Sequence, residues 1–483
     1  VTTAARRTPG ETTPADEGAG VRGVAAAPEH ARALPPLAAV LHRRGVHEPV
    51  PAREWALFAM IVLYPVGWLL GLTLAWVPLL AIPMALELFR RGRVRMPAPV
   101  FAWLLLCFLG LIGGVMLDAT VPDALPPEMG LGRILAFARR LLDMGAAIVV
   151  LLYIGNLTER ELPTKRVVKF LAYFFVVLVV GGIAGVLLPR IAVTTPLAEV
   201  LPKSLLANGW VRSSVRIEFA QWQTIVGESP SPRPAAPFQY TNAWGQCIAV
   251  LLPWFILATL YKTKGLWSKI WPTLVLIAAM IPIVYSLNRG TWAGLGIIVA
   301  YLVVRMAIRG SIMPVAGVLI AVALGGLLVL ATPLGSTVTA RMDNPHSNEG
   351  RASLNAAAWD AAKASPIIGF GGQSETIGSE RSIAIGQSPS CEQCGNRDIG
   401  SDGQLWMLLI TQGFVGAGLY LLFFLWMGWR FRRDHSWLGI AAGVTVPLAI
   451  WFSTIYNSTG MTLVIMMVPL ALLWRNETNR VYT

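Results

Sequence analysis

Twelve apolar runs follow one another along this chain, near residues 55–72, 75–89, 98–117, 134–155, 167–188, 243–261, 270–288, 292–307, 312–331, 406–427, 436–455 and 459–474. Each approaches the roughly 17–25 residues that a helix needs to cross a bilayer core, the second, eighth and twelfth being short. Lipid offers no water to an open amide, so such runs must close their own hydrogen bonds as helices. The predicted fold class is therefore an all-α integral membrane protein of about twelve transmembrane helices. Composition agrees: 55% of residues are hydrophobic and 13% charged, and the mean hydropathy of +0.59 excludes an ordinary soluble domain.

Basic residues set the orientation, because Lys and Arg collect on the cytoplasmic side of membrane spans. RRGRVR (Arg90 to Arg95), TERELPTKRVVK (Thr158 to Lys169), KTKGLWSK (Lys262 to Lys269), Arg305 with Arg309, and RFRRD (Arg430 to Asp434) occupy every second connection. Those connections are expected inside, together with both termini. The alternate ones face out: Asp118 to Gly130 and two long loops, residues 189–241 and 332–405. The net charge of +13 then needs no nucleic acid, since cytoplasmic connections and a basic N-terminal tail carry much of it.

The expected organisation is a disordered cytoplasmic tail over residues 1–53, rich in Ala, Pro, Gly and Thr, then an N-terminal bundle over 54–188 and the first outer loop over 189–241. Spans over 242–331, a second outer loop over 332–405, and C-terminal spans with a short cytoplasmic tail over 406–483 complete it. No cleavable signal peptide is expected, because the first apolar run lies well inside the sequence. Cys107 and Cys247 fall in spans and read as packing residues. Cys391 and Cys394, in PSCEQCGNR on the outer side, read as a local disulfide. A zinc site would need a second ligand pair, and none is apparent.

The stretch SLNRGTWAG, Ser286 to Gly294, sets Arg289 at the outer end of the seventh span, and the eighth span re-enters almost at once. A cation at that depth is costly unless it pairs or faces water, so Arg289 is a functional candidate; snorkelling to lipid phosphates is the bland alternative. In the fourth span, FARRLLDMG places Arg139 and Arg140 at the spacing of an intrahelical ion pair with Asp143, leaving one arginine with spare charge. In the first outer loop, VRSSVRIEFAQWQTIV carries Arg212 and Arg216 beside a stripe of Val211, Val215, Phe219, Trp222 and Val226. This reads as an amphipathic surface helix, although VRIEF alone alternates like a strand. The two outer loops differ in sign, net +2 over 189–241 and net −3 over 332–405. A cationic loop opposite an anionic one suits a diphosphate on one side and a proton-accepting carboxylate on the other.

Four segments together resemble the O-antigen ligase and polymerase superfamily of bacterial envelope glycan assembly, over roughly residues 130–430. They are RPAAPFQYTNAWGQCIAVLLPW (Arg233 to Trp254), SLNRGTWAG, GRASLNAAAWDAAKASPIIGFGG (Gly350 to Gly372) and SDGQLWMLLITQGFVGAGLY (Ser401 to Tyr420). The resemblance implies a GT-C-like membrane glycosyltransferase, without cofactor or metal, that moves a glycan from a polyprenyl diphosphate on the outer leaflet to an acceptor. It also implies the partners: the lipid-linked donor, a glycan or glycolipid acceptor, membrane lipids, and a flippase or chain-length regulator. Arg289 looks like the family's functional arginine, and Arg351, Arg216 and Arg140 follow as further diphosphate-binding candidates. Guanidinium groups suit that task because they hold phosphate oxygens bidentately and do not titrate.

One departure matters. Ligases of the family carry a His-Asn pair where this chain has Asp402 and Gly403, and their histidine is taken to deprotonate the acceptor. A carboxylate can do the same, so Asp402 is the expected base, with His346 behind it and a helix N-terminal role for Asp402 equally consistent. The departure favours a polymerase or a ligase for another envelope glycan. A transporter of small anions or a flippase for the lipid-linked glycan are the rival readings. Neither the inverted repeats nor the paired broken helices of transporters are evident.

Overall fold

In the computed structural model, residues 53–206, 209–223, 231–260, 265–310, 312–330, 335, 347–376 and 397–481 are described. The expected tail over residues 1–53 lies almost entirely outside them, as do His346 and both Cys391 and Cys394. Helices form at every one of the twelve apolar runs: Trp55–Val62 with Tyr64–Leu70, Thr73–Arg90, Pro99–Ile112, Leu131–Asn156, Thr164–Leu187, Thr241–Leu260, Trp267–Tyr285, Arg289–Ile308, Ile312–Leu330, Gln404–Arg430, Trp437–Gly443 with Thr445–Ser453, and Met461–Val481. Among the described residues, seven helices are long and apolar enough to cross a membrane. The Leu131–Asn156 helix falls outside that group, with Arg133, Arg139, Arg140 and Asp143 in its first half.

The core is a bundle of these helices. The Thr164–Leu187 and Thr241–Leu260 helices pack through Phe175 and Phe255, stacked at 4.7 Å between centroids. Trp103 of the Pro99–Ile112 helix sits among Tyr420, Phe423 and Phe424 of the Gln404–Arg430 helix, all fully buried. Tilted and edge-on aromatic pairs of this kind add to the packing that holds apolar helices together in lipid.

Hydrogen bonds and ion pairs join the connections in two groups. In one group, Arg91 pairs with Glu161 at 2.8 Å, Arg166 with the buried Glu54 at 2.7 Å, and Arg430 with Glu477 at 3.4 Å. Arg305 donates to the Arg432 carbonyl at 2.5 Å, and the buried Arg475 to the Leu162 carbonyl at 2.9 Å. In the other, the Leu125 amide donates to the Glu375 carbonyl at 2.8 Å, Arg233 to the Ser286 carbonyl at 2.6 Å, and Asn457 to the Ser401 carbonyl at 3.0 Å.

Two expectations are corrected. The stretch from Val211 to Gln223 is not one amphipathic helix, and Val226, the last residue of the expected stripe, lies outside the described residues. Helix stops at Ser214, and Arg216–Glu218 (β2) pairs antiparallel with Ala192–Thr194 (β1), Val193 opposite Ile217, while Ala220–Gln223 (β3) pairs with Ser231–Pro234 (β4), Gln221 opposite Arg233. The alternation in VRIEF decides the matter: Ile217 is buried against Trp68 and Ala236, and Arg216 and Glu218 share the other face.

The second correction concerns continuity of the tenth apolar run. The Gln404–Arg430 helix breaks at Gly413, whose φ of 63° and ψ of −168° lie in a region open almost only to glycine. A Cβ there would stand 2.4 Å from the Pro366 carbonyl oxygen. The segment SPIIGFGG, Ser365 to Gly372, is laid against the break: the Phe370 and Gly371 amides donate to the Ile410 and Thr411 carbonyls at 2.8 and 3.0 Å, and the Val415 amide donates to the Pro366 carbonyl at 3.3 Å. Backbone groups freed by the break are thereby satisfied by another segment, as lipid requires. Gly371 allows this closeness, since its φ is +65° and a Cβ would stand 2.1 Å from the Gly113 carbonyl oxygen.

Candidate functional site

The SLNRG stretch forms a tight turn. The Trp267–Tyr285 helix ends, Leu287 takes a left-handed φ of 52°, and the next helix begins at Arg289. A leucine in that conformation costs about 1–2 kcal/mol, so the surroundings must hold the turn. Arg233 donates to the Ser286 carbonyl at 2.6 Å, Trp292 to the Ile283 carbonyl at 2.9 Å, and Trp451 to the Gly290 carbonyl at 2.9 Å. Asn288 caps the helix, its Oδ1 accepting from the Thr291 amide at 3.1 Å. Arg289 is the first helical residue and is half-buried. The N-terminal end of a helix carries partial positive charge, which adds to that of the guanidinium.

Asp402 arrives from the other side. Gly403 packs on the backbone of Ser453 and Thr454, and the Gln404 amide donates to the Tyr456 carbonyl at 2.9 Å. Trp406 donates to the Thr454 carbonyl at 2.9 Å. The Ser401 to Gln404 segment is thus fixed to the turn between Ser453 and Met461. Tyr456 in that turn donates its hydroxyl to Asn288 Oδ1 and is buried. Burial pushes its phenol up to about 12, with the Arg233 and Arg351 guanidinium groups pulling the other way. One buried ring therefore joins the Arg289 turn to the Asp402 segment.

Polar side chains extend this layer. Asn288 Nδ2 reaches Asn242 Oδ1 at 3.4 Å, Gln246 donates to the Asn457 carbonyl at 3.0 Å, and Ser458 donates to Gln246 Oε1 at 2.8 Å. The Ser458 amide donates to Gln404 Oε1 at 3.1 Å. The N-terminal ends of the Thr241–Leu260, Arg289–Ile308 and Gln404–Arg430 helices meet here, with the turn that leads into Met461–Val481. Their dipoles make the layer a favourable place for an anion.

Asp402 and Arg351 stand opposite one another, Nε to Oδ1 at 3.9 Å, the carboxylate 19% and the arginine 38% exposed. The other Asp402 oxygen is buried and accepts no hydrogen bond among the described residues. Burial raises the pKa of this carboxyl, and the Arg351 and Arg397 guanidinium groups partly offset that. A carboxylate with a raised pKa and a spare lone pair is a competent proton acceptor.

The other sequence candidates separate. Of the two arginines at pairing distance, Arg139 pairs with Asp143 at 2.9 Å, and Arg140 donates to the Gly371 carbonyl at 2.6 Å. Arg140 and Asp143 line a cavity of about 20 Å³ with Gln404, Gln412, Ser458 and Thr459, which borders the polar layer and is large enough for one water. Arg216, exposed on β2, is paired with Glu218 at 2.8 Å. Tyr456, Asn288 and Arg233 were missed as site residues. The signal was present in polar letters between apolar runs, in IYNSTG and SLNRG, but no spacing connects residues so far apart. Among the described residues, no three His, Cys, Asp or Glu side chains are grouped to hold a metal.

The chain matches the family described as O-antigen ligase over residues 272–390, about a quarter of its length, a span that contains Arg289 and Arg351 and ends before Asp402. No curated protein matches it. With helices long and apolar enough to cross a membrane among the described residues, the chain reads as a multi-pass membrane protein whose residues 272–390 are similar to the O-antigen ligase family.

Proposed function

We propose that this protein transfers a glycan from a polyprenyl diphosphate to an acceptor hydroxyl at the outer face of the bacterial cytoplasmic membrane, with no metal in the reaction. The observation that carries this reading is the Tyr456 to Asn288 hydrogen bond, which ties the Arg289 turn to the segment that carries Asp402, with Arg351 of the Ser347–Ala364 helix facing that carboxylate. A cationic helix start and a half-buried carboxylate are the two parts such a transfer requires. The positive-inside rule puts the group of connections that includes Arg91, Arg166 and Arg430 in the cytoplasm, with both termini. The polar layer then faces out.

In this mechanism Asp402 takes the proton from the acceptor hydroxyl as its oxygen attacks the anomeric carbon. The bond from that carbon to the diphosphate oxygen breaks, and the electron pair stays on the diphosphate. Arg289 and the adjacent helix start stabilise the charge that develops there, an interaction stronger in the transition state than before it. Arg351 sits between the two tasks, holding Asp402 in place and offering charge to the donor. Arg140 supports the Gly371 backbone beneath.

The deciding experiment is release of free polyprenyl diphosphate from a labelled lipid-linked glycan by purified protein in lipid, wild type against Arg289→Ala, with acceptors supplied in turn. Release that needs both Arg289 and an acceptor supports transfer. Donor binding without release, with every acceptor tried, would overturn it and favour movement of the lipid-linked glycan across the membrane.

A further inference from the structure

Gln412, the last residue before the break at Gly413, is buried, and its Oε1 accepts no hydrogen bond among the described residues. A buried amide oxygen left without a donor is costly. The side chain lines the cavity of about 20 Å³ between the Leu131–Asn156 helix, the first half of Gln404–Arg430 and the turn that leads into Met461–Val481. Two hydroxyls on its wall already have acceptors: Thr411 donates to the Met407 carbonyl at 2.7 Å, and Ser458 to Gln246 Oε1 at 2.8 Å. Arg140, on the same wall, gives one N–H of Nη2 to the Gly371 carbonyl at 2.6 Å and has further N–H groups to offer. Asp143, which accepts from Arg139 at 2.9 Å, adds a negative charge. A cation placed here would face Arg140, and an anion would face Asp143. A neutral molecule that both donates and accepts suits the two together, and the volume admits one water.

We propose that this cavity binds one water molecule, which donates to Gln412 Oε1 and accepts from Arg140. The water ties the break in the Gln404–Arg430 helix to the Leu131–Asn156 helix. Arg140 is then held from two sides, by the Gly371 carbonyl and by the water, so Gln412 is a positioning residue for that guanidinium. Ordered waters serve helix breaks within membranes in this way, because lipid offers freed polar groups no other partner.

Hydroxyl radicals made from water by short X-ray pulses oxidise a buried methionine where water touches it, and Met144 and Met407 both line this cavity. The test exposes the full chain, purified in detergent, and follows sulfoxide formation at each methionine by mass spectrometry. Met144 and Met407, each 7% exposed, report on the cavity. Met306, 8% exposed and near the end of the Arg289–Ile308 helix, reports on bulk water, and Met466 and Met467, both 0% exposed, give the dry rate. In the wild type, Met144 and Met407 should oxidise about fivefold or more faster than Met466 and Met467, and about twofold or more faster than Met306. Rates no higher than at Met466 would show a dry cavity and overturn the proposal. Rates equal to that of Met306 would assign the labelling to bulk water and overturn it as well. Two variants then locate the water: Gln412→Leu removes the acceptor, and Leu463→Phe fills the cavity from its apolar side with Gln412 in place. Each should bring Met407 to within about twofold of Met466, and unchanged labelling in either would overturn the bridge. The comparison within the wild type needs no variant to fold, and labelling reads the cavity whether or not the protein transfers a glycan.

Discussion

The Tyr456 hydroxyl donates to Asn288 Oδ1, and the same oxygen accepts the Thr291 amide that begins the Arg289 helix. Two segments 168 residues apart in the chain are joined at one atom. If Arg289 acts on the donor, Tyr456 is the residue that positions it. Tyr456→Phe keeps the ring and removes the donor, which is worth about 0.5–1.5 kcal/mol. Turnover should fall about 2- to 12-fold with donor binding retained, measured by release kinetics and by donor pull-down. Turnover equal to wild type would show that the bond only stabilises the fold.

Arg289 itself should tolerate little. Removal of a group that stabilises developing charge costs roughly 100- to 1000-fold in rate. Arg289→Ala should therefore abolish measurable release, and Arg289→Lys should recover only a small part, since an ammonium cannot hold two phosphate oxygens in a planar fork. Full recovery by lysine would reduce the role of Arg289 to that of a point charge.

Acid should inhibit through Asp402. Burial raises its folded-state pKa above the ordinary value, so the carboxyl holds its proton to a higher pH than an exposed aspartate does. As base it must be ionised, so turnover falls as pH drops through that raised pKa and is full above it. Arg351 acts in the opposite direction, favouring the ionised form. Arg351→Gln should shift the acid limb of the pH profile to higher pH, and Asp402→Asn should lower turnover and remove that limb. An acid limb that survives in Asp402→Asn would assign the proton to another group.

Gly413→Ala should destabilise the protein by about 2 kcal/mol or more, because its backbone conformation and the Pro366 carbonyl both exclude a side chain. A fall in the thermal unfolding midpoint in detergent checks this. By contrast Arg216→Ala, which breaks an exposed pair with Glu218, should change both stability and turnover by less than about 1 kcal/mol. A large loss of turnover in Arg216→Ala would restore it to the donor-binding group.

Much of this protein was legible in its letters. Apolar runs of spanning length dictate helices wherever water is absent, so all twelve runs are helical, and the spacing of Arg139 and Arg140 from Asp143 announced an intrahelical pair, for which the structure selects Arg139. The alternation in VRIEF was legible too, but a competing helical stripe obscured it until Ile217 was seen buried against Trp68. Tertiary structure alone decided the rest. Whether Gly413 breaks a helix depends on a segment some fifty residues earlier that arrives to satisfy the freed carbonyls. Whether Tyr456 belongs to the Arg289 site depends on how three helix ends and one turn converge. Local sequence carries the periodicity of each helix, since that is a property of neighbouring residues. It does not carry which helix ends meet, since that follows from the packing of all the helices at once.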